Sequence, residues 1–210
     1  EANAQGFSFA TTLGCQTSIG SLPIVFYGDE EQKAKYLPGI ASGQLKASYC
    51  LTEPGAGSDA NSGKTTAVLT EDGKSYVING QKMWITNGGF ADVFIVFAKI
   101  DNDKNLSAFI VEKSYPGLST GAEEEKLGIK GSSTVQVFFN DCLVPKENLL
   151  GESGGGFKMA LNILNTGRMK LAAGGLGGSQ FAHTKALEYA NQRVQFTEPK
   201  ANFGPIKPTT

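Results

Sequence analysis

The sequence predicts an α+β chain in three parts: a helical first part, a middle of short strands forming a small antiparallel barrel or sandwich, and the start of a helical last part. Three observations carry this. Residues 1–46 hold apolar, small-residue and capped stretches without strand alternation. Residues 47–150 hold β-branched and aromatic runs separated by glycine turns. Residues 151–210 open on Gly154-Gly155-Gly156 and then take up a helical apolar period.

In order, Phe7 to Tyr27 is apolar and rich in small residues, and Gly28 interrupts it. Asp29 with Gln32 makes a capping box, because the Asp oxygen accepts an orphan amide and Gln returns the bond. The helix EEQKAKYL follows and is expected to stop at Pro38-Gly39. In the middle part SYVIN, KMWITN, DVFIVFAKI, LSAFIVEK and TVQVFFN read as strands. Asp72-Gly73 and Asn79-Gly80 read as hairpin turns, since type I′ geometry needs positive φ at both positions. The Gly154–Gly156 run reads as a flexible linker. Phe157, Ala160, Leu161 and Leu164 then follow the i, i+3, i+4, i+7 spacing of a helix reaching about Arg193. Gly174, Gly175, Gly177 and Gly178 within it suggest close helix packing. Beyond Phe196, Pro199, Pro205 and Pro208 forbid an unbroken continuation.

Composition excludes several functions. The 210 residues carry 19 Lys plus Arg against 20 Asp plus Glu, a net charge of -1. That offers no basic face for nucleic acid and no attraction to anionic membranes. The cysteines, at 15, 50 and 142, form no CxxC, so neither a disulfide framework nor a structural metal site is expected. His183 is the single histidine, too little for a His-based triad. No apolar run has bilayer-spanning length, and Glu1-Ala2-Asn3-Ala4 lacks the start of a signal peptide.

Two motifs bear on chemistry. Gly55-Ala56-Gly57-Ser58-Asp59-Ala60 spells the dinucleotide fingerprint G-x-G-x-x-A, but Gly63 ends any helix there within a turn. Gly57 to Thr65 misses the ATP-binding loop by one residue. The segment reads as a tight turn whose amides can also nest a phosphate. Trp84, the one Trp, stands in Lys82-Met83-Trp84-Ile85-Thr86, with Thr86 on its own strand face and Ile85 on the other. Such a Trp is more often core, yet a ring beside a hydroxyl also suits a flat heterocycle. Glu123-Glu124-Glu125 and His183 read as solvated, and the sequon Asn105-Leu106-Ser107 carries no meaning in a cytosolic chain.

Taken together, Tyr49-Cys50-Leu51-Thr52-Glu53-Pro54-Gly55-Ala56-Gly57-Ser58-Asp59, the block Asn79 to Gly88, and Leu143 to Asn148 with Gly156-Phe157-Lys158 resemble the acyl-CoA dehydrogenases. Asn162-Ile163-Leu164-Asn165 with Gly167-Arg168 is most similar to the very-long-chain branch. The resemblance implies a helical N-terminal domain, a middle antiparallel β-barrel and a C-terminal helical bundle. It implies FAD as cofactor, an acyl-CoA substrate oxidised to the trans-2-enoyl-CoA, electron-transfer flavoprotein as acceptor, and a homo-oligomer, dimer or tetramer. The setting would be cytoplasmic in a bacterium and the mitochondrial matrix in a eukaryote.

By the same resemblance Tyr49, Leu51, Thr52, Gly57 and Ser58 line the flavin, with Thr52 at the ring's polar edge and Ser58 also near the substrate entrance. Trp84, Ile85 and Thr86 contact the ring, Thr86 near N5. Asn165, Thr166, Gly167 and Arg168 contact the acyl-CoA, and Arg193 and Gln195 reach the FAD phosphates of a neighbouring subunit. Family members are longer at both ends, and their usual catalytic glutamate would lie beyond Thr210. The alternative position for a base is Gly167, so the 210 residues by themselves are expected not to catalyse dehydrogenation. Thr197 also stands where the family usually has Gly. The acyl tail would run beside residues 8–20, where Gly14, Cys15 and Gly20 leave a deep tunnel suited to long chains. Two other readings remain open: a non-catalytic flavin-binding or β-barrel scaffold, and a family member acting on branched or aromatic acyl groups.

Overall fold

A computed structural model describes residues 6–101 and 103–193. Three helices come first: α1 (Phe7–Gln16), α2 (Leu22–Tyr27) and α3 (Glu30–Ser42). Eight strands follow: β1 (Ala47–Cys50), β2 (Thr66–Leu69), β3 (Ser75–Thr86), β4 (Val93–Ile100), β5 (Ser107–Glu112), β6 (Leu118–Glu123), β7 (Thr134–Pro145) and β8 (Leu149–Leu150). A long helix, α4 (Gly156–Gln192), ends the described chain.

The capping box of α3 forms as the sequence predicts. Gln32 N donates to Asp29 Oδ1 at 2.8 Å, and Asp29 N donates to Gln32 Oε1. The helix does not stop at Pro38-Gly39; it runs through Pro38 and ends at Gly43, whose φ is +77°. Burial decides the matter: Tyr36 and Ile40, one turn apart, both enter the core, and that outweighs the one backbone bond Pro38 cannot make. Gln16 ties this helical layer to the strands. Its Nε2 donates to Ile40 O and Leu45 O, and its Oε1 accepts from Ala47 N.

The sheet order is β6-β7-β3-β2-β4-β5-β8, with β1 also on β4. Most pairs are antiparallel, but β1 and β2 both lie parallel to β4. The expected all-antiparallel barrel is therefore a mixed sheet. The reason is connection length: each of these strands reaches β4 by a crossover and not by a hairpin. They are also the short strands, ASYC and TAVL, that periodicity alone did not mark.

Asp72-Gly73 does turn the chain between β2 and β3, though only Gly73 has positive φ, so the turn is not type I′. Asn79-Gly80 is no hairpin. It lies inside the 12-residue strand β3, where the register against β7 slips between Ile78 and Gly80. This is a bulge whose extra residue is on β7, where Asn140 and Asp141 stand opposite Asn79. Beside it Gly80 has φ +153°, and a Cβ there would stand 2.5 Å from Thr65 Oγ1.

Strand β4 is buried on both faces, which explains its unbroken apolar run. Val93, Ile95 and Phe97 face a core shared with Ile24, Tyr36, Ile40 and, from α4, Met159, Ala160 and Ile163. Phe94, Val96 and Ala98 face a second core with Tyr76, Ile78, Val135, Val137 and Phe139.

The Gly154–Gly156 run is docked and does not behave as a flexible linker. Gly154 N donates to Ser107 Oγ at 2.8 Å and Gly156 N to Leu106 O at 2.7 Å. Past Gly167 most of α4 is exposed, and nothing lies within 4 Å of a Cβ built on Gly175, Gly177 or Gly178. The close packing expected for those glycines is thus not made by the described residues.

Candidate active site

Strand β1 feeds directly into a loop that crosses in front of β3. Met83 N donates to Thr52 O at 2.9 Å, and a tight turn closes with Glu53 N donating to Ala56 O and Ala56 N to Glu53 O. Opposite, β3 carries a second bulge between Lys82 and Ile85. Trp84 sits in it at φ +56°, a left-handed conformation that costs a bulky residue about 1–2 kcal/mol. The bulge keeps the indole out of the core: Trp84 is 62% exposed while Ile85 is 2% exposed. Trp84 is therefore not a core residue, and it is the bulge, not plain strand alternation, that gives the indole and Ile85 different surroundings.

Residues 86 and 87 are clamped from below. Ser48 Oγ donates to Thr86 O at 2.6 Å, and Asn87, at φ +64°, donates from Nδ2 to Thr12 O at 3.1 Å. Cys15 Sγ also points at Thr86 O, and burial pushes this thiol up to about 12, so it is no nucleophile.

These elements enclose a cleft of about 370 Å³ between the loop, the β3 bulge and the first turns of α4. Tyr49, Leu51, Thr52, Gly57, Ser58, Trp84, Ile85, Thr86 and Arg168 all line it. Sequence reasoning missed much of the opposite wall, Phe157, Ala160, Leu161 and Leu164. Their helical spacing was visible, but a spacing does not say what the face meets. A second cleft of about 430 Å³ lies beside α1, walled by Phe7, Ala10, Gly14, Cys15, Ile129 and Leu171 among others. Thr86 and Ile19 line both clefts.

Of the residues expected to meet acyl-CoA, Ser58 and Arg168 line the first cleft and Gly167 lines the second; Asn165 and Thr166 line neither. Asn165 instead accepts from Arg168 Nη1 at 2.6 Å and so orients it. Arg193 follows the end of α4, roughly 38 Å along the helix from Arg168, and cannot share this cleft within one chain. Gln195 lies outside the described residues.

No Asp or Glu among the described residues lines either cleft. Glu53, the nearest in sequence, is engaged elsewhere. Its carboxylate accepts from Lys64 N, Thr65 N, Thr65 Oγ1 and, at 2.7 Å, from Lys82 Nζ, itself 0% exposed. Burial alone would push this carboxyl up, but the Lys82 charge and the donated hydrogen bonds outweigh it and hold Glu53 below its usual range. The described residues hold no cluster of His, Cys, Asp and Glu suited to a metal, and no described helix is long and apolar enough to cross a membrane.

A helical layer, a mixed β domain and a long helix, meeting around a slot with an exposed Trp and a second apolar cleft, define a helix–β–helix class of protein. Comparison with known proteins gives the family. The N-terminal, middle and C-terminal domain models of acyl-CoA dehydrogenase match residues 1–44, 48–142 and 154–207. A probable acyl-CoA dehydrogenase of Bacillus subtilis is 60% identical over 93% of this chain and 33% of its own length. The very long-chain specific mitochondrial enzyme of Macaca fascicularis is 48% identical over 93% of this chain and 31% of its own. The solved acyl-CoA dehydrogenase of Bacillus anthracis complexed with FAD superposes with a TM-score of 0.88 at 58% identity, over 93% of this chain and 33% of that one. This chain belongs to the acyl-CoA dehydrogenase family, and it spans about a third of the length of these relatives.

Proposed function

We propose that these residues form the cofactor and substrate clefts of an FAD-dependent enzyme that converts a fatty acyl-CoA to its trans-2-enoyl-CoA, with long chains preferred. The observation that carries the reading is the pair of clefts that share Thr86 and Ile19. Dehydrogenation needs a flat acceptor and an acyl chain side by side, and Thr86 stands where the two would meet.

The residues fit FAD. An exposed indole and the apolar side chains of Leu51, Phe157 and Leu161 suit a planar ring, while Thr52 and Thr86 offer hydroxyls to its polar edge. Gly57 and Ser58 are exposed on the loop, and a Cβ at Gly57 would meet nothing within 4 Å, which leaves room for a diphosphate. When bound, FAD supplies the acceptor for the hydride that leaves the β-carbon. The chain's own residues bind and orient: Arg168, held by Asn165, offers a cation at the rim of the first cleft, and Lys170, donating to Thr17 O, does so at the second. The base for the α-proton comes from outside the described residues, because Gly167 has no side chain and Glu53 is held by Lys82.

The preference for long chains rests on the second cleft. It is walled chiefly by apolar and small residues, and a Cβ on Gly14 would enter open space. Each further methylene buried there contributes about 0.8 kcal/mol. Oxidation by electron-transfer flavoprotein, and a homo-oligomer in which Arg193 reaches a neighbouring subunit's cofactor, belong to the same proposal. The test is the visible spectrum of the full-length protein. A flavin band bleached anaerobically by palmitoyl-CoA, with higher kcat/KM than on butyryl-CoA, is the expected result. A colourless protein that takes up no FAD refutes the function, and a best substrate of butyryl length refutes the chain preference.

A further inference from the structure

Glu53 and Lys82 belong to neither cleft, yet they join the two backbones that shape the first one. Glu53 directly follows Thr52, and Lys82 lies two residues before Trp84. Their ion pair is 2.7 Å long, with side chains 7% and 0% exposed. Lys82 Nζ also donates to Leu51 O at 3.3 Å, and Met83 N to Thr52 O, so ammonium and strand grip the loop at adjacent residues. The other carboxylate bonds run to Lys64 N, Thr65 N and Thr65 Oγ1, fixing the far end of the loop where it re-enters the sheet. Two glycines make room for this cluster: a Cβ would stand 2.9 Å from Glu53 Oε1 at Gly63 and 2.5 Å from Thr65 Oγ1 at Gly80. The bare backbone at Gly80 thereby serves the latch, just as the bulge at Trp84 serves the cleft.

We propose that Glu53, Lys82 and Thr65 form a buried latch that positions Thr52 opposite Trp84, and that the affinity and spectrum of the flavin depend on it. These are positioning residues, since none of them lines the cleft. The inference rests on the reading of that cleft as the FAD site. A buried ion pair is a costly way to gain stability alone, because an apolar pair of similar volume often does as well. What the charged pair adds is direction: four donors converge on one carboxylate and allow the loop a single seat.

The test uses the full-length protein and two perturbations. Thr65→Val removes one donor with little change in shape, and Thr65→Ser restores it. The double variant Glu53→Gln with Lys82→Met removes both charges, so that neither is left buried alone. The readouts are the melting temperature of the apoprotein, the Kd for FAD, and the position of the bound flavin's visible bands. Thr65→Val is expected to raise the Kd roughly 2–10-fold with shifted bands and to lower the apoprotein melt by several degrees, and Thr65→Ser to return both towards wild type. The double variant should raise it further. Both Thr65→Val and the double variant binding FAD with wild-type affinity and spectrum overturns the latch. Should the double variant fail to fold, the Thr65 pair decides alone, and an unchanged Kd in Thr65→Val overturns it. Wild-type protein that takes up no FAD refutes the reading of the cleft, and the latch with it; wild-type uptake with unaffected variants refutes the latch alone.

Discussion

Replacing Trp84 by glycine separates what the indole does for the cleft from what it does for the fold. Trp84 is 62% exposed. A tryptophan offers up to about 250 Å² to burial, so about 95 Å² is covered, worth at most about 2.4 kcal/mol. Against that loss stands the backbone. At φ +56° the native residue carries about 1–2 kcal/mol of left-handed strain, which glycine relieves, less about 0.5–1 kcal/mol for its greater chain entropy. The net cost to the apoprotein is about 1–2 kcal/mol, or about 2–8 °C in Tm. The neighbouring Ile85→Ala empties a core site that is 2% exposed and should cost about 2–5 kcal/mol. The order reverses for the cofactor. Losing one aromatic face against a flat heterocycle removes about 1–3 kcal/mol, a 5- to 150-fold rise in Kd. Thermal melts of the apoproteins beside FAD titrations of the full-length variants read both quantities. A Trp84→Gly protein that melts as low as Ile85→Ala, or that binds FAD as tightly as wild type, refutes the reasoning.

Three further outcomes are expected. Gly14→Leu should place its side chain in the open second cleft and lower kcat/KM on palmitoyl-CoA at least about tenfold while sparing butyryl-CoA, and equal losses on both would contradict the tunnel. Gly156→Ala puts a Cβ 2.7 Å from the Leu106 carbonyl oxygen, a backbone contact that cannot swing away, so a loss of about 1–3 kcal/mol should appear in a denaturant titration. Because Glu53 is held below its ordinary value of 4.5, its contribution is complete above that value and is lost as the pH falls through the lower folded value. Melts from about pH 6 to about pH 3 should therefore fall more steeply for wild type than for the Glu53→Gln, Lys82→Met protein, and parallel curves would remove Glu53 from the acid response.

Much of this architecture was legible because local patterns and tertiary burial agree. Asp29 and Gln32 cap a helix from positions three residues apart, so sequence alone suffices. The strand candidates are those whose apolar content is set by burial on one or both faces. Where reading failed, a distant partner had overruled a local preference. Asn79-Gly80 looks like a turn until Thr65, fifteen positions before Gly80, occupies the space a side chain there would need. Pro38 looks like a stop until Tyr36 and Ile40 find their core. Gly154–Gly156 reads as slack until its amides meet Leu106 and Ser107. In the site, the loop and the Trp84 block were visible as residue types. The helix wall and the Glu53–Lys82 pair were not, because a lysine in a strand gives no sign that its ammonium is buried.

The double-faced burial of β4 has a bearing on how the molecule comes apart. Alternate residues of one eight-residue strand supply both hydrophobic interiors, Ile95 to the helical side and Val96 to the sheet side. The strand cannot be peeled from one without exposing the other. The helical layer is therefore not a detachable lid over an independently stable β module: opening either side draws on the same strand, and the two melt as one cooperative unit. The second cleft is floored by α1 and the first by β1 and β3.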